Sequence, residues 1–367
     1  MKRLARRLLA KGQNIDVFLC NAGIGGWKGL DWFKAVWSVM VDMPASTTYP
    51  TYKLGHTGRV LRPEIPVREG GKSAGKTPAL GDETPVLGET FTANVFGHYM
   101  LAHWLMPVLQ PTKSGEASRI IWISSIEAYG HTLDPNDMQG LKTSLSYESS
   151  KRLTDVLALS SELPSTRPWV QRYLASTDAA STSPNASSTT SETGPRILVC
   201  HPGICATSIF DLPLILQYAM LAAFYVSRWI GSPWHPISAY LGSVAAVWLA
   251  LIPEDILESV EGPLPARSTA SPGSFDDDGE QGKGKWGSST DRVGSERVIR
   301  TEVEGWGWSG RVGELADGGI RTNRGRYRGM KALTEERKEE FEETGRRVWK
   351  EMEDLRSEWE ERLRDVE

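Results

Sequence analysis

The chain has 367 residues, with 42 lysines and arginines against 46 aspartates and glutamates and a formal net charge of −4. That balance argues against a nucleic-acid surface, which needs Lys and Arg concentrated opposite phosphate. The length allows a substantial core and up to two domains.

In chain order, MKRLARRLLAKG is basic and short, without the long apolar stretch and small-residue cleavage site of a secretory signal. It predicts a helix leading into the first strand. Asn14 to Cys20 is an apolar run ending at Asn21-Ala22-Gly23, which reads as a buried strand followed by a tight turn. Gly23-Ile24-Gly25-Gly26-Trp27-Lys28-Gly29 imitates a glycine-rich phosphate loop, but Lys28 stands where the third glycine of G-x-G-x-x-G belongs. Residues from about 44 to 88 are rich in Pro, Gly and Thr and predict an extended surface loop. Thr92 to Leu109 is apolar almost all round and predicts a buried helix, followed by a strand at Arg119 to Ser124.

Residues 174–195 form a Ser/Thr/Ala tract with too little apolar content to fold, and a disordered bulge is expected there. Its Asn185-Ala186-Ser187 sequon is taken as a chance match in the absence of a secretion signal. Arg196 to Cys200 is a third strand, ending at His201-Pro202-Gly203. Cys20, Cys200 and Cys205 are odd in number, and two lie in strand-like runs, which favours reduced thiols over a disulfide framework.

Two uncharged stretches follow, Leu212 to Ser227 and Ile237 to Ile252. Each would be roughly 24 Å long as a helix, short of the ~30 Å hydrocarbon core, so buried or membrane-surface helices are expected rather than spans. Residues 263–300 are low in complexity and predict disorder, with a strand or turn at Gly305-Trp306-Gly307-Trp308. From Thr334, the residues Phe341, Val348, Trp349, Met352, Leu355, Trp359 and Leu363 recur at helical spacing among charges, which predicts a helix capping the domain with one apolar face. The expected organisation is therefore a domain over 1–252 with insertions at about 44–88 and 174–195, an irregular extension over 253–330, and a charged amphipathic helix over 331–367. Alternating strand and helix predicts an α/β fold with a parallel sheet. Its ligand edge should lie where the strands end, at Asn21, Ser125 and Pro202.

The chemistry concentrates at Tyr147 and Lys151, in SYESSKRLTDVLALS, downstream of a strand ending on Ser124 and Ser125. A Ser…Tyr-x-x-x-Lys arrangement suits proton transfer to a carbonyl. The same spacing occurs at Tyr49/Lys53 and Tyr327/Lys331, but the first pair lies in a Pro/Thr loop and the second in a Gly- and Arg-rich stretch. Tyr147 and Lys151 alone precede an uninterrupted helical pattern, placing both polar groups on adjacent turns of one face.

Together, Asn21-Ala22-Gly23, Asn94, Ser125, Tyr147/Lys151 and Pro202-Gly203-x-x-x-Thr207 resemble, in order, the short-chain dehydrogenase/reductase superfamily. The phrases PTYKLG, TANVFGHYMLAHWLMPVL, YESSKR and RWIGSPWH resemble more narrowly the fungal 3-keto-steroid reductases of ergosterol synthesis. The resemblance implies a Rossmann-like sheet and reduction of a 3-keto sterol intermediate to the 3β-alcohol during C-4 demethylation, with NADPH as reductant. Tyr147 would donate its phenolic proton, with the adjacent Lys151 ammonium lowering its pKa and also reaching the nicotinamide ribose. Ser125 would orient the substrate oxygen and Asn94 would hold a relay water. The gap from Ser125 to Tyr147 exceeds the family's usual spacing and leaves Ser124 as the alternative serine. Asn21 and Gly23 would line the adenosine half, and Pro202, Gly203 and Thr207 the nicotinamide.

The resemblance also implies partners among the other C-4 demethylation enzymes, and a peripheral position on the cytosolic face of the endoplasmic reticulum or a lipid droplet. No metal ligand set and no nucleic-acid partner are expected. The family's opening, strand, Thr-Gly-x-x-x-Gly-x-Gly and helix, has no counterpart here, so the sheet is expected to lack its first strands. A catalytically inactive relative acting as an interaction protein in a sterol-synthesis complex is the competing expectation.

Overall fold

Short runs of β-branched and apolar residues, VFLC, RIIWI and RILVCH, suit strands buried on both faces, and all three form parallel strands of one sheet. The computed structural model describes residues 2–61, 86–109, 111, 115–175, 194–207, 213–261, 282–313 and 326–363. Helix α1 (Lys2–Leu9) leads into β1 (Val17–Cys20). A lobe then follows: β2 (Trp27–Leu30), α2 (Trp32–Val41), α3 (Met43–Thr48), β3 (Lys53–Gly55), and a small pair formed by β4 (Val60–Leu61) and β5 (Leu87–Gly88). Next come α4 (Glu89–Phe91), a π-helical turn (Thr92–Phe96) and α5 (Gly97–Leu105), which run on continuously into a short 3-10 turn, and then β6 (Arg119–Ile123). Helix α6 (Ser146–Leu159) and α7 (Arg167–Leu174) precede β7 (Arg196–His201). After it lie α8 (Leu214–Ile230), α9 (Ala239–Gly242), α10 (Val244–Leu251) and α11 (Glu254–Glu261), then β8 (Lys285–Thr290), β9 (Glu296–Thr301) and α12 (Glu335–Arg362).

The main sheet has the order β1-β6-β7-β8-β9, with β1, β6, β7 and β8 parallel and β9 antiparallel to β8. Strand alternation divides the core in two. Ile120, Trp122, Ile197 and Val199 face α5, α6 and α12, whereas Ile121, Leu198, Cys200 and Trp286 face α10 and α11. Helices on both faces of a mostly parallel sheet make the fold α/β and Rossmann-like. The thiols of Cys20, Cys200 and Cys205 are free.

Residues 285–300, expected to be disordered, instead form, with Thr301, the β8–β9 ribbon that completes the sheet. Its sequence is too polar to signal a strand, but the ladder pairs the backbone and specific bonds hold the side chains: Ser288 Oγ donates to Gly242 O at 2.7 Å and accepts from Ala245 N at 2.9 Å. The stretch expected to be one surface loop over 44–88 contains α3 and β3, and β3 pairs with β2 across a bulge. The expected bulge at 174–195 and the low-complexity stretch before β8 fall mostly outside the described residues. Of the two apolar stretches, α10 buries Ala245 and Leu249 against the sheet, while α8 packs mainly on α3. Among the described residues no helix is long and apolar enough to cross a membrane.

The expected amphipathic helix is α12, capped by Thr334, whose Oγ1 accepts from Arg337 N. Phe341, Val348, Trp349, Met352 and Trp359 lie in the core shared with α6 and α7. Glu353 is buried and satisfied by Tyr99 Oη at 2.8 Å and by both ends of the Arg356 fork at 2.8 Å. Gly345 permits the close approach to α6, because a Cβ there would lie 2.6 Å from Ser160 Oγ and 2.7 Å from Ser160 Cβ. Gly345→Val should therefore destabilise the protein by about 1–3 kcal/mol through overpacking. Urea denaturation would read this as a lower midpoint at unchanged slope.

Candidate active site

Parallel strands end on one sheet edge, so the turns after β1, β6 and β7 lie together there. Helix α6 brings Tyr147, Lys151 and Asp155 to this edge on one stripe, at i, i+4 and i+8. The Ser125 side chain acts on the Tyr147 phenol, favouring its ionised form, and Ser125 Oγ accepts from Glu127 N at 3.2 Å. Ser124 instead donates its Oγ to Lys151 O at 3.2 Å, while its N–H donates to Cys200 O at 2.7 Å. Of the two serines, Ser125 is the one turned toward the phenol. Lys151 is buried, donates its Nζ to Ile123 O at 2.7 Å, and lies 5.7 Å from the Tyr147 ring centroid.

Asn94 lies in the π-helical turn and is buried. Its Oδ1 accepts from Ile24 N at 2.7 Å, and its Nδ2 donates to Ile24 O at 3.0 Å and to Ser150 Oγ at 2.9 Å. The amide expected to hold a relay water is thus engaged by protein and staples the turn after β1 to α6. Gly23 makes the staple fit, since a Cβ there would lie 2.7 Å from Asn94 Oδ1. Asn21 and Gly23 are exposed at the strand end. Gly203 follows β7 with φ of +67°, and a Cβ there would meet Pro236 Cδ and Ser288 O, each at 2.8 Å. Its neighbour Pro202 is half-buried, and Thr207 is exposed at the end of the described segment.

The β2–β3 ribbon covers the phenol. The Trp27 ring lies 4.8 Å from that of Tyr147, and Lys53 Nζ sits 4.1 Å above Trp27 while pairing with Glu127 at 2.5 Å. Lys53 therefore reaches the site although Tyr49/Lys53 is not a helical pair. Its partner Tyr49 turns away into a cluster with Tyr129 and Tyr327. Gly23 to Gly29 is no phosphate loop either, because Trp27 onward is strand. Three groups were missed from sequence. Asp155 was legible as the next step of the Tyr147/Lys151 stripe, whereas Lys285 and Trp27 lie in segments with no local signal of proximity.

The electrostatics correct one expectation. Burial, together with the Glu127 and Glu148 carboxylates, raises the Tyr147 pKa, against the lowering by Ser125. The phenol is thus held protonated rather than acidified, because the Lys151 ammonium is turned to the strand-end carbonyl. Desolvation and the neighbouring Glu127 push Glu148 up to about 7, with Lys53 acting against them. Desolvation also pushes Lys151 down to about 8 in spite of Asp155.

A serine, a phenol and a lysine gathered at the carboxyl edge of a parallel sheet define a Rossmann-like carbonyl reductase site, and this class of site implies a nicotinamide cofactor. Comparison with known proteins is specific. The 3-keto-steroid reductase erg27 of Aspergillus fumigatus is 42% identical over 369 aligned positions, covering 100% of this chain and 76% of the relative. The corresponding ERG27 protein of Gibberella zeae is 36% identical over 94% of this chain and 67% of its own length. That of Schizosaccharomyces pombe is 29% identical over 79% of this chain and 64% of its own length. The chain belongs to the 3-keto-steroid reductase family. No family model and no solved structure matches it.

Lys151 gives a stability test that does not depend on turnover. Its folded pKa of about 8 lies below its ordinary 10.5, so the folded state resists the charge that the unfolded chain accepts freely. This penalty is complete below about pH 8 and vanishes as pH rises to 10.5. Lys151→Met should therefore melt at a higher temperature than wild type at pH 7, with the difference shrinking across that window in calorimetry.

Proposed function

We propose that this protein reduces the 3-keto group of a sterol intermediate to the 3β-alcohol, within C-4 demethylation in ergosterol synthesis, using NADPH. The observation that carries the proposal is the gathering of Ser125, Tyr147 and Lys151 at the strand-end edge, in a chain of this family. The residues present fit such a cofactor. Asn21 and Gly23 are exposed at the end of β1 for its adenosine half, and on the nicotinamide side Thr207 is exposed while Gly203 adopts a left-handed turn that keeps the Pro202 segment close to β8. When bound, the nicotinamide supplies the hydride to the carbonyl carbon.

The remaining chemistry belongs to the chain. Reduction needs a proton at the carbonyl oxygen as negative charge develops there, and Tyr147 holds one because burial and two carboxylates oppose its ionisation. Ser125 can share the same oxygen while its rotamer is fixed by Glu127 N–H. Lys151, still largely protonated at pH 7, lies beside the phenol with its ammonium on Ile123 O, where it would reach the nicotinamide ribose. Trp27 shields one face of the phenol from water. Tyr147→Phe should lower NADPH oxidation with a 3-keto sterol by on the order of 10²–10⁴-fold. Steady-state absorbance measurements check this, and a fully active variant would remove the proposed acid.

The same proposal seats the protein peripherally on the cytosolic face of the endoplasmic reticulum or a lipid droplet, beside the other C-4 demethylation enzymes. Its support is an apolar surface on two helices that both pack on α3. Phe33, Trp37 and Met40 of α2 are 94%, 71% and 77% exposed, and Ile215 of α8 is 81% exposed. Such side chains suit the headgroup and acyl boundary, where aromatic rings are favoured. Phe33→Glu/Trp37→Glu should cut co-flotation with phosphatidylcholine vesicles several-fold while leaving turnover of detergent-dispersed sterol within about twofold, as expected for a surface change remote from the chemistry. Unchanged flotation would refute the surface.

A further inference from the structure

Lys285 of β8 lies opposite Val199 in register, with its side chain on the α6 face of the sheet. It is 3% exposed and donates its Nζ to two acceptors, Asp155 Oδ2 at 2.7 Å and Ser125 O at 2.7 Å. Asp155 is fully buried and stands one turn beyond Lys151 on the stripe that begins with Tyr147. Two lysines thus grip the same strand end. Lys151 holds the carbonyl of Ile123, Lys285 holds that of Ser125, and Ser124 between them is tied to Lys151 O and Cys200 O. Ser125 is fixed by its backbone from β8 and by its hydroxyl from Glu127 N–H.

We propose that Lys285, anchored by Asp155, is a positioning residue of the reductase site: it fixes the Ser125 turn so that the serine hydroxyl and the Tyr147 phenol converge on one substrate oxygen. The inference rests on the reductase reading above and adds to it a residue from the segment after α11. A purely structural ion pair would need only Asp155. The second bond, to the carbonyl of Ser125, gives Lys285 its link to catalysis, because small displacements of a reacting group cost up to about 10²-fold in rate.

The charged surroundings define the readouts. Lys285 faces Asp155 and Arg152 of α6, the Cys200 thiol and His201 of β7, and the Lys151 ammonium. Lys151 faces Asp155, Lys285, Cys20 of β1, Cys200, and His98 of α5. Removing Lys285 takes a like charge from Lys151 and frees Asp155 to act on it, so the Lys151 titration should move upward from about 8.

The test uses the full chain as wild type, Lys285→Met, Lys285→Met/Asp155→Leu and Tyr147→Phe, assayed with NADPH and a 3-keto sterol. The Lys151 titration is followed by NMR on lysine labelled with carbon-13 at Cε. Lys285→Met should lose about 10- to 100-fold in kcat, with the KM for NADPH within about twofold, and should show the raised Lys151 titration. The double variant, which leaves no unpaired carboxylate, should recover thermal stability but not kcat. The inference is overturned by wild-type kcat in Lys285→Met, or by recovery of kcat in the double variant, which would make charge balance the sole role. If Lys285→Met does not fold, the double variant decides by the same criterion. Full activity of Tyr147→Phe would sink the reductase reading instead. Should the wild-type chain turn over no sterol, the reductase reading fails and this inference with it.

Discussion

The site depends on burying cationic side chains where a parallel strand stops. Beyond Ile123 the backbone leaves the ladder, and its carbonyls need donors. Lys151 and Lys285 supply them, each buried and each losing its hydration to do so. Desolvation lowers both lysine pKa values, and Asp155 is the counter-charge that opposes this lowering in each. The arrangement is therefore strained electrostatically and stiff geometrically, a combination found at functional sites more often than in plain cores. Removing Asp155 would leave both buried ammonium groups without their counter-charge, whereas removing Lys151 leaves Asp155 paired with Lys285.

The same logic explains the phenol. Tyr147 sits between a lysine turned to backbone and two carboxylates, Glu127 and Glu148, so its proton is retained. For an enzyme working only in oxidation this would be a handicap. For the proposed reduction it is the required resting state, because the proposed acid must arrive protonated. Lys53, carried in on β3, moderates the field by pairing with Glu127 and by lowering the Glu148 pKa against the effect of burial.

Much of the scaffold was legible because β1, β6 and β7 are apolar on both faces and end in Asn-Ala-Gly, Ser-Ser and His-Pro-Gly turns. The Tyr147/Lys151 pair stood out for a local reason, helical context. What was illegible depends on tertiary pairing. Lys285-Trp286-Gly287-Ser288-Ser289-Thr290 carries one large apolar residue, yet all six are buried, because ladder bonds, the Asp155 carboxylate of α6, the Gly242 carbonyl of α9 and the Ala245 N–H of α10 satisfy them. Composition cannot distinguish such a strand from a polar linker. The β2–β3 ribbon was hidden by distance along the chain, its strands being separated by two helices rather than a turn.

The hidden pieces are also those that finish the candidate site. Strands ending at one edge supply the position of a pocket, but β1, β6 and β7 alone leave the Ser125 turn and the Tyr147 ring held from one side only. The ribbon closes over the ring through Trp27 and Lys53, and β8 reaches beneath the turn through Lys285. Gly55 and Gly203 mark how tightly these additions are seated, since a Cβ at the first would lie 2.0 Å from Ser144 O and at the second 2.8 Å from Ser288 O. The proposed catalytic pair on one helix can be recognised from the spacing of two residues in the sequence. The rigidity that makes it useful comes from segments that carry no catalytic signature and whose contribution exists only after the sheet has assembled.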